Sequence, residues 1–570
     1  MRVQHSASGE KYYISQTNSN MENDQTLQAL LSNSSDEDEV EESSEEEFTG
    51  DTSTLDDSND SSSSEDLDNF QIQLPQSSTE IFKAKDGTIW KVINDHSSVA
   101  SRLSMANIVR TQRGPSPYAR RTATSPLAAL RLLISQSIIS LITKYTRIEA
   151  QRVFPNTNCT LNGNEIWKFI ALMYARGVLA AKNIPLNELW DQNKGNPIFR
   201  NTMSRDRFKY ILRLLRFDDK EDRRQRILMQ KDKLAHISEI WNTFVENCRK
   251  YYNPVINLCV DEQLFPTKAR CPFTQYISSK PDKFGIKFWL LADVQSKYLL
   301  NAAVYTGTDE TRPPNVRIGD HIVWKLTEPF HKGGYNITCD NFFTSISLAK
   351  TLLQVDTIIV GTTRANRKEI PDIARKFTAS KEYPVFSSMF FKDVNSPVAL
   401  TTYKYKKSKS VYVLSSMHSQ NIVCDKTPKR KPETITYYNN TKFGVDILDA
   451  MARLYSVKPG CRRWPVHVFC NILDMAAINA WIIYKESNHP NQKRRNFLFS
   501  LIDELINDDE NLRIPTSVSS SFTEPTRKTC QIRKACKSNK ATNTCINCKK
   551  NTCGSCTKEK ILQIICKNCK

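Results

Sequence analysis

Asn336-Ile337-Thr338-Cys339 is a β-prone run that stops at a carboxylate, Asp340, with a helix-capping serine, Ser345, shortly after. A carboxylate at the end of a buried strand costs desolvation unless something positive meets it. Two other stretches repeat the arrangement. The β-branched run Val255 to Val260 is expected to end in Asp261, and Thr441 to Ser456 reads as a helix with Asp446 and Asp449 three residues apart on one face. Three segments that each deliver an aspartate to one point require a sheet whose strand ends face a helix. Aspartates are short, rigid, hard-oxygen ligands, whereas histidine or cysteine would favour zinc. The expectation is that Asp261, Asp340 and Asp446 hold two magnesium ions suited to phosphoryl transfer on DNA. For each aspartate alone, a helix cap or an ion pair is the ordinary alternative.

The charge supports a polyanionic partner. The formal net charge is +19, but residues 1–70 carry 19 Asp+Glu against 2 Lys+Arg, and the other 500 residues carry 42 against 78. A basic body behind an acidic tail suits nucleic acid. At 570 residues the chain is too long for one core, and two to four domains are expected. No signal peptide opens it, which argues against a secreted disulfide framework, and Met21 offers a second plausible start. The longest apolar run, Trp464 to Tyr484, is interrupted by His467, Asn471, Asp474 and Asn479, so it reads as a buried helix and not a membrane span.

Along the chain, residues 1–115 are expected to be disordered, being Ser/Asp/Glu-rich and poor in large apolar residues. Helices dominate next. Ser125 and Pro126 open one, a second covers about Asn164 to Gly177, and a third starts at Ser204 with Phe208, Ile211, Leu212 and Leu215 inward. The outward Arg205, Arg207, Lys209, Arg213 and Arg216 either touch phosphate or are ordinary solvated residues. After Asp261, the blocks Phe284 to Ala292 and Lys297 to Tyr305 read as a hairpin. A helix near Ser345 to Gln354 and a strand at Thr357 to Thr362 follow. This order gives a mixed sheet with carboxylates at adjacent strand ends and matches a ribonuclease H-like fold. Residues 365–435 read as a small β-rich insertion whose hairpin tip carries Lys404, Lys406, Lys407 and Lys409, for DNA or for edge protection. At the C-terminal end, Cys545-x2-Cys548, Cys553-x2-Cys556 and Cys566-x2-Cys569 are tight pairs, with Cys530 and Cys536 a looser fourth. Eight thiolates match two zinc ions.

Taken in order, several motifs make the chain resemble the piggyBac transposases along almost its whole length. They include Asn107 to Pro115, Met203 to Phe208, Val260-Asp261-Glu262-Gln263-Leu264, Arg270-Cys271-Pro272-Phe273, Ile337 to Asn341, Val360-Gly361-Thr362, Tyr437-Tyr438-Asn439, Gly444-Val445-Asp446 and Arg463-Trp464-Pro465. The resemblance implies a nuclear cut-and-paste transposase, a homodimer or larger, that nicks and hairpins transposon ends and joins them to TTAA targets. It implies an α/β ribonuclease H-like core at 255–364 and 436–456, the β-rich insertion at 365–435, and a discontinuous all-α dimerisation and DNA-binding domain at 116–254 and 457–508. A linker, 509–529, then leads to a cysteine-rich zinc domain, 530–570. By position, Asp261, Asp340 and Asp446 become the catalytic metal triad, with Asp449 as a supporting carboxylate. Trp464, Arg364 and Arg367 become DNA contacts, with Arg462 and Arg463 counted beside them. Cys530, Cys536, Cys553 and Cys556 would hold one zinc, and Cys545, Cys548, Cys566 and Cys569 the other. Flanking bases such as Arg533 and Lys534 would bind terminal repeats or serve nuclear import. The competing expectations are a domesticated relative that binds DNA without moving it, and a chromatin adaptor built on the zinc module.

Overall fold

A computed structural model describes residues 80–93, 112–156, 160–278, 282–420, 422–423 and 428–508, and then 528–532, 536, 540–541, 543–544, 548, 550–560 and 564–566. The chain divides into two compact units, Met1–Asp508 and Asp509–Lys570.

The described part of the first unit opens with β1 (Ile81–Lys83) and β2 (Ile89–Ile93). Five main helices follow: α1 (Pro126–Leu133), α2 (Gln136–Val153), α3 (Gly163–Val178), α4 (Arg205–Leu214) and α5 (Ser238–Tyr251). Polar caps set the starts of α1, α3 and α4. The Ser125 side chain accepts from the Ala128 N–H with Pro126 in the first turn, Asn162 and Glu165 form a reciprocal capping box, and Ser204 accepts from Arg207 N–H. The sheet segment then runs β3 (Asn257–Pro266), β4 (Thr274–Tyr276), β5 (Phe284–Asp293), β6 (Leu299–Val304), α6 (Ile318–Thr327), β7 (Asn336–Cys339), α7 (Ile346–Leu353) and β8 (Ile358–Thr363). Next are β9 (Ser388–Asp393), β10 (Ala399–Lys406) and β11 (Lys409–Ser415). The chain closes this unit with α8 (Glu433–Thr441), α9 (Gly444–Leu454), α10 (Trp464–Asn488) and α11 (Arg494–Ile506).

All eleven of these strands belong to one mixed sheet, in the order β1-β2-β9-β10-β11-β8-β7-β3-β5-β4, with β6 also paired to β5. Its centre is parallel: β8 lies beside β7, and β7 beside β3, in matching direction. The rest is antiparallel, including the expected β5–β6 hairpin. α10 packs on α1 and α11 on α3, so helices from before and after the sheet meet in one body.

Three expectations change. The strand expected to stop at Asp261 continues to Pro266, with Asp261 in its middle, because Leu264 and Phe265 are buried and paired with Lys287 and Ile286 of β5. The stretch 365–435 is β-rich as expected, but its strands join the core sheet, since β11 pairs directly with β8 and extends the same layer. Disorder throughout 1–115 does not hold for Ile81–Ile93, where β2 pairs with β9 and Trp90 is fully buried with its Nε1–H donating to Glu369 O at 2.9 Å. Residues 1–79 and 94–111 lie outside the described residues.

α10 is long and apolar enough to cross a bilayer, yet 94% of its most apolar window is buried inside this unit. Several of its polar groups find partners there, while His467 Nδ1 and Asn471 Oδ1 are buried without one. His467 Nε2 meets Cys461 O at 2.7 Å, Asp474 accepts from Ser456 Oγ and Val457 N–H, and Asn479 bonds both Leu299 N–H and Leu299 O. Leaving any of these groups buried and unpaired would cost about 1–3 kcal/mol.

Candidate active site

The parallel centre of the sheet brings two of the expected aspartates side by side. Val260 pairs with Cys339, and one step further the register sets Asp261 level with Asp340. Asp340 sits where β7 ends. Its Oδ1 accepts from Phe342 N–H at 2.9 Å, and Thr344 Oγ1–H donates back to its carbonyl at 2.7 Å. Burial raises its carboxyl above the usual range, and the nearby Glu262 carboxylate adds to the rise. The Phe342 and Phe343 N–H groups and the charge of Arg364 oppose it. Glu262 itself faces the buried Lys287, whose Nζ is 3.8 Å away and lies 4.0 Å from the centroid of the Trp289 ring.

Three arginines secure the turn after Asp340. Arg364 Nε donates to Asn341 Oδ1 and Arg367 to Asn341 O, both at 3.0 Å. Arg317 donates to Phe342 O at 2.8 Å and Thr344 O at 3.1 Å. Arg364 and Arg367, expected to touch DNA, here bind the side chain and backbone of Asn341, next to Asp340.

The third segment approaches through a glycine. At the start of α9, a Cβ on Gly444 would lie 2.6 Å from Cys259 Cβ, so only glycine lets the helix come this close to β3. Five residues further along α9, Asp449 Oδ1 accepts from Gln263 Nε2 at 2.8 Å. Cys259, Asp261 and Gln263 alternate onto one face of β3, which sets Asp261 opposite the stretch of α9 between Gly444 and Asp449. Asp446 lies in the first turn of that helix and is exposed. Asp449 is fully engaged: its other oxygen accepts from Arg453 Nε at 2.9 Å, and Arg453 also holds Leu264 O and Asp282. Gln263 Oε1 accepts in turn from Asn471 Nδ2 of α10 at 2.9 Å. Asn471 thereby decides which end of the Gln263 amide faces Asp449.

The carboxylates form an open constellation. Among the described residues, the one set of three or more histidine, cysteine, aspartate or glutamate ligand atoms lying all within 4.8 Å of each other is elsewhere, at the cysteines. Like charges spread apart unless a cation joins them. All-oxygen donors at the end of a parallel pair, one of them raised in pKa by burial, fit a hard divalent cation.

Of the other expected contacts, Trp464 is 7% exposed, with His236 and Phe273 at 4.9 and 5.1 Å between ring centroids. Arg463 is spent on the C-terminal carbonyls Leu212 and Leu215 beside α4. Arg462 is exposed and lines a cleft of about 670 Å³ that also reaches Asp449. Arg207 and Arg216 are ion-paired with Glu165 and Glu149.

In the second unit, Cys530, Cys536, Cys553 and Cys556 are all buried with their sulfurs within 4.8 Å of one another, and Cys536 Sγ and Cys556 Sγ are 3.6 Å apart. Four thiols at this spacing fit a tetrahedral zinc. This is the first of the two quartets implied by resemblance. Cys548 is exposed, Cys566 ends the strand Ile564–Cys566, and Cys545, Cys569, Arg533 and Lys534 lie outside the described residues.

Gln263, Asn471, Arg317 and Arg453 do not emerge from the motifs alone. Two had a signal: Gln263 shares a strand face with Asp261, and Arg453 is four residues after Asp449.

A family profile described as Transposase IS4 matches residues 125–481. Human PiggyBac transposable element-derived protein 3 is 25% identical over 378 residues, which cover 63% of this chain and 61% of that protein. Human PiggyBac transposable element-derived protein 2 is 21% identical over 382 residues, covering 63% and 62%. The chain thus spans less than two thirds of the length of these curated relatives. A chain from the cryo-EM structure of a piggyBac transposase synaptic complex with hairpin DNA superposes with a TM-score of 0.65 at 33% identity, covering 81% of this chain and 100% of that one.

Proposed function

The chain belongs to the piggyBac-type Transposase IS4 family, and from that we propose that it is a cut-and-paste DNA transposase with a ribonuclease H-like catalytic core. The observation that carries the reading is that Asp261 and Asp340 each directly follow the last paired residues, Val260 and Cys339, of two adjacent parallel strands, with α9 seated against β3 through Gly444. In this reading Asp261, Asp340 and Asp446 hold two magnesium ions, and Asp449, already bonded by Gln263 and Arg453, fixes the helix that presents Asp446. Ions held by these carboxylates would supply Lewis acidity for the scissile phosphate and lower the pKa of the attacking oxygen. The protein's own part is to hold the carboxylates in place, through the arginines around Asn341 and the amide relay from Asn471.

The reaction we assign is nicking at the transposon end, hairpin formation and joining to TTAA sites. That reading is supported by the family and by the hairpin DNA in the solved relative. We assign the chain to the nucleus as a homodimer or larger, acting on double-stranded terminal repeats. The helices at 116–254 and 457–508 would supply the dimer and DNA contacts, and zinc would be held by the C-terminal cysteines. A second reading, a domesticated DNA-binding protein, is favoured by the curated relatives being named as element-derived proteins.

The test is cleavage of labelled DNA carrying the transposon end in flanking TTAA, with magnesium or EDTA, beside Asp340→Asn. Magnesium-dependent nicks and hairpins that vanish in the variant support the transposase. Tight end binding without any cleavage supports the domesticated binder.

A further inference from the structure

The cleft that reaches Asp449 has an unusual mouth. Phe284, the first residue of β5, is 58% exposed, and Tyr276, its direct cross-strand partner on the edge strand β4, is 55% exposed. Their rings lie 4.9 Å apart between centroids, at 52° to one another. Phe284 lines the cleft, about 670 Å³, together with Lys182, Lys268, Lys283, Arg453, Lys458 and Arg462, cations that outnumber its carboxylates Asp282, Asp449 and Asp474. Its inner wall includes Gln263 and Asp449.

A cross-strand aromatic pair stabilises a hairpin end by itself, but that role is fulfilled equally well with the rings packed against the body. Here both large rings are exposed, and Phe284 lines a cleft in which cations outnumber carboxylates. Flat apolar faces beside a row of cations are what an unpaired polynucleotide requires: bases stack on the rings while phosphates meet the cations. A duplex has no free base faces to offer them.

We propose that the Tyr276–Phe284 pair and the cleft behind it bind an unpaired DNA strand, leading it past Lys283 and Lys268 toward Asp449. This deepens the transposase reading, which supplies the identity of the strand as DNA flanking the cut, but the binding itself is measurable without it.

The experiment uses the full chain, a labelled short oligothymidylate and a labelled blunt duplex carrying the transposon end. Tyr276→Ala/Phe284→Ala is expected to weaken oligothymidylate binding about tenfold or more, while duplex binding changes by less than about twofold. Phe284→Tyr keeps a stacking face and should bind as the parent does. In the parent protein, a 5-iodouracil-substituted oligonucleotide should photo-cross-link at Tyr276 or Phe284. Unchanged oligothymidylate affinity in the double alanine variant, no oligothymidylate binding by the parent, or cross-links confined to other regions would overturn the proposal. The two readings fail differently. A parent protein that cleaves ends but whose strand binding ignores these substitutions sinks the cleft and leaves the transposase. One that never cleaves, yet loses strand binding on substitution, sinks the transposase and leaves the cleft.

Discussion

The aspartate site and the cysteine quartet are both candidate metal centres, and they are built in opposite ways. Asp261, Asp340 and Asp446 come from β3, the end of β7 and α9, and the sheet beneath them is packed with fully buried residues such as Val260, Ile337 and Phe288. That scaffold stands on its own apolar burial. The quartet lies within 27 residues of chain, Cys530 to Cys556, among strands two to four residues long. The buried cluster described there is the four cysteines, with Ile532 packed against them. In the first unit the fold would make the site, and in the second, if the quartet holds zinc as proposed, the site would make the fold.

That contrast predicts how each centre breaks. The largest effect should come from Asp340→Asn. Cleavage should fall by several orders of magnitude with end binding retained, and thermal melting of the first unit should stay level or rise, because a carboxylate raised in pKa by burial is replaced by a neutral isostere. A cooperative loss of fold would place Asp340 in the scaffold instead. Cys536→Ser, or zinc chelation, should do the reverse: the second unit should lose its protection from proteolysis, zinc content should drop, and the melting transition of the first unit should remain.

Gln263→Glu sets a carboxylate against Asp449 where an amide N–H now donates. A loss of about 10–100-fold in cleavage is expected, with more magnesium needed for half-maximal rate. Asn471→Leu should give a similar but smaller change, and an unaltered magnesium response in both would remove the relay from the site.

The smallest effect is a pH slope. Burial pushes Asp474 up to about 7, against its bonds from Ser456 and Val457. The folded state therefore holds this proton below about pH 7 while the unfolded chain releases it near the ordinary carboxylate range. Stability from this group is present at low pH and falls by up to about 1.4 kcal/mol per unit as pH rises toward 7. Asp474→Asn should flatten urea midpoints measured between pH 5 and 7.

The sequence makes local features legible. Ser125, Ser204 and Ser345 cap the helices they announce, and the β5–β6 hairpin lies where its two β-type blocks put it. What it hides depends on distant partners. β3 runs on past Asp261 because β5 pairs with it as far as Pro266, and Gln263 on that extension meets Asp449, 186 residues away, and Asn471, 208 residues away. The five residues of β2 look too polar in their neighbourhood to fold, until β9 arrives to pair with them and Glu369 to meet Trp90. Asp340 is readable as a strand-end residue and Asp261 is not, since its strand runs on to Pro266, while the arginines that secure the turn at Asn341 carry no local pattern at all.

The β1–β2 hairpin also decides where the protein can be shortened. The acidic leader invites removal of everything before the first helix. A chain cut after Ile93 would bare β9, whose Phe390 and Phe391 are now buried, as an open edge ready to pair with another molecule. The safe boundary lies ahead of Glu80, so the hairpin acts as a built-in guard against strand-to-strand aggregation.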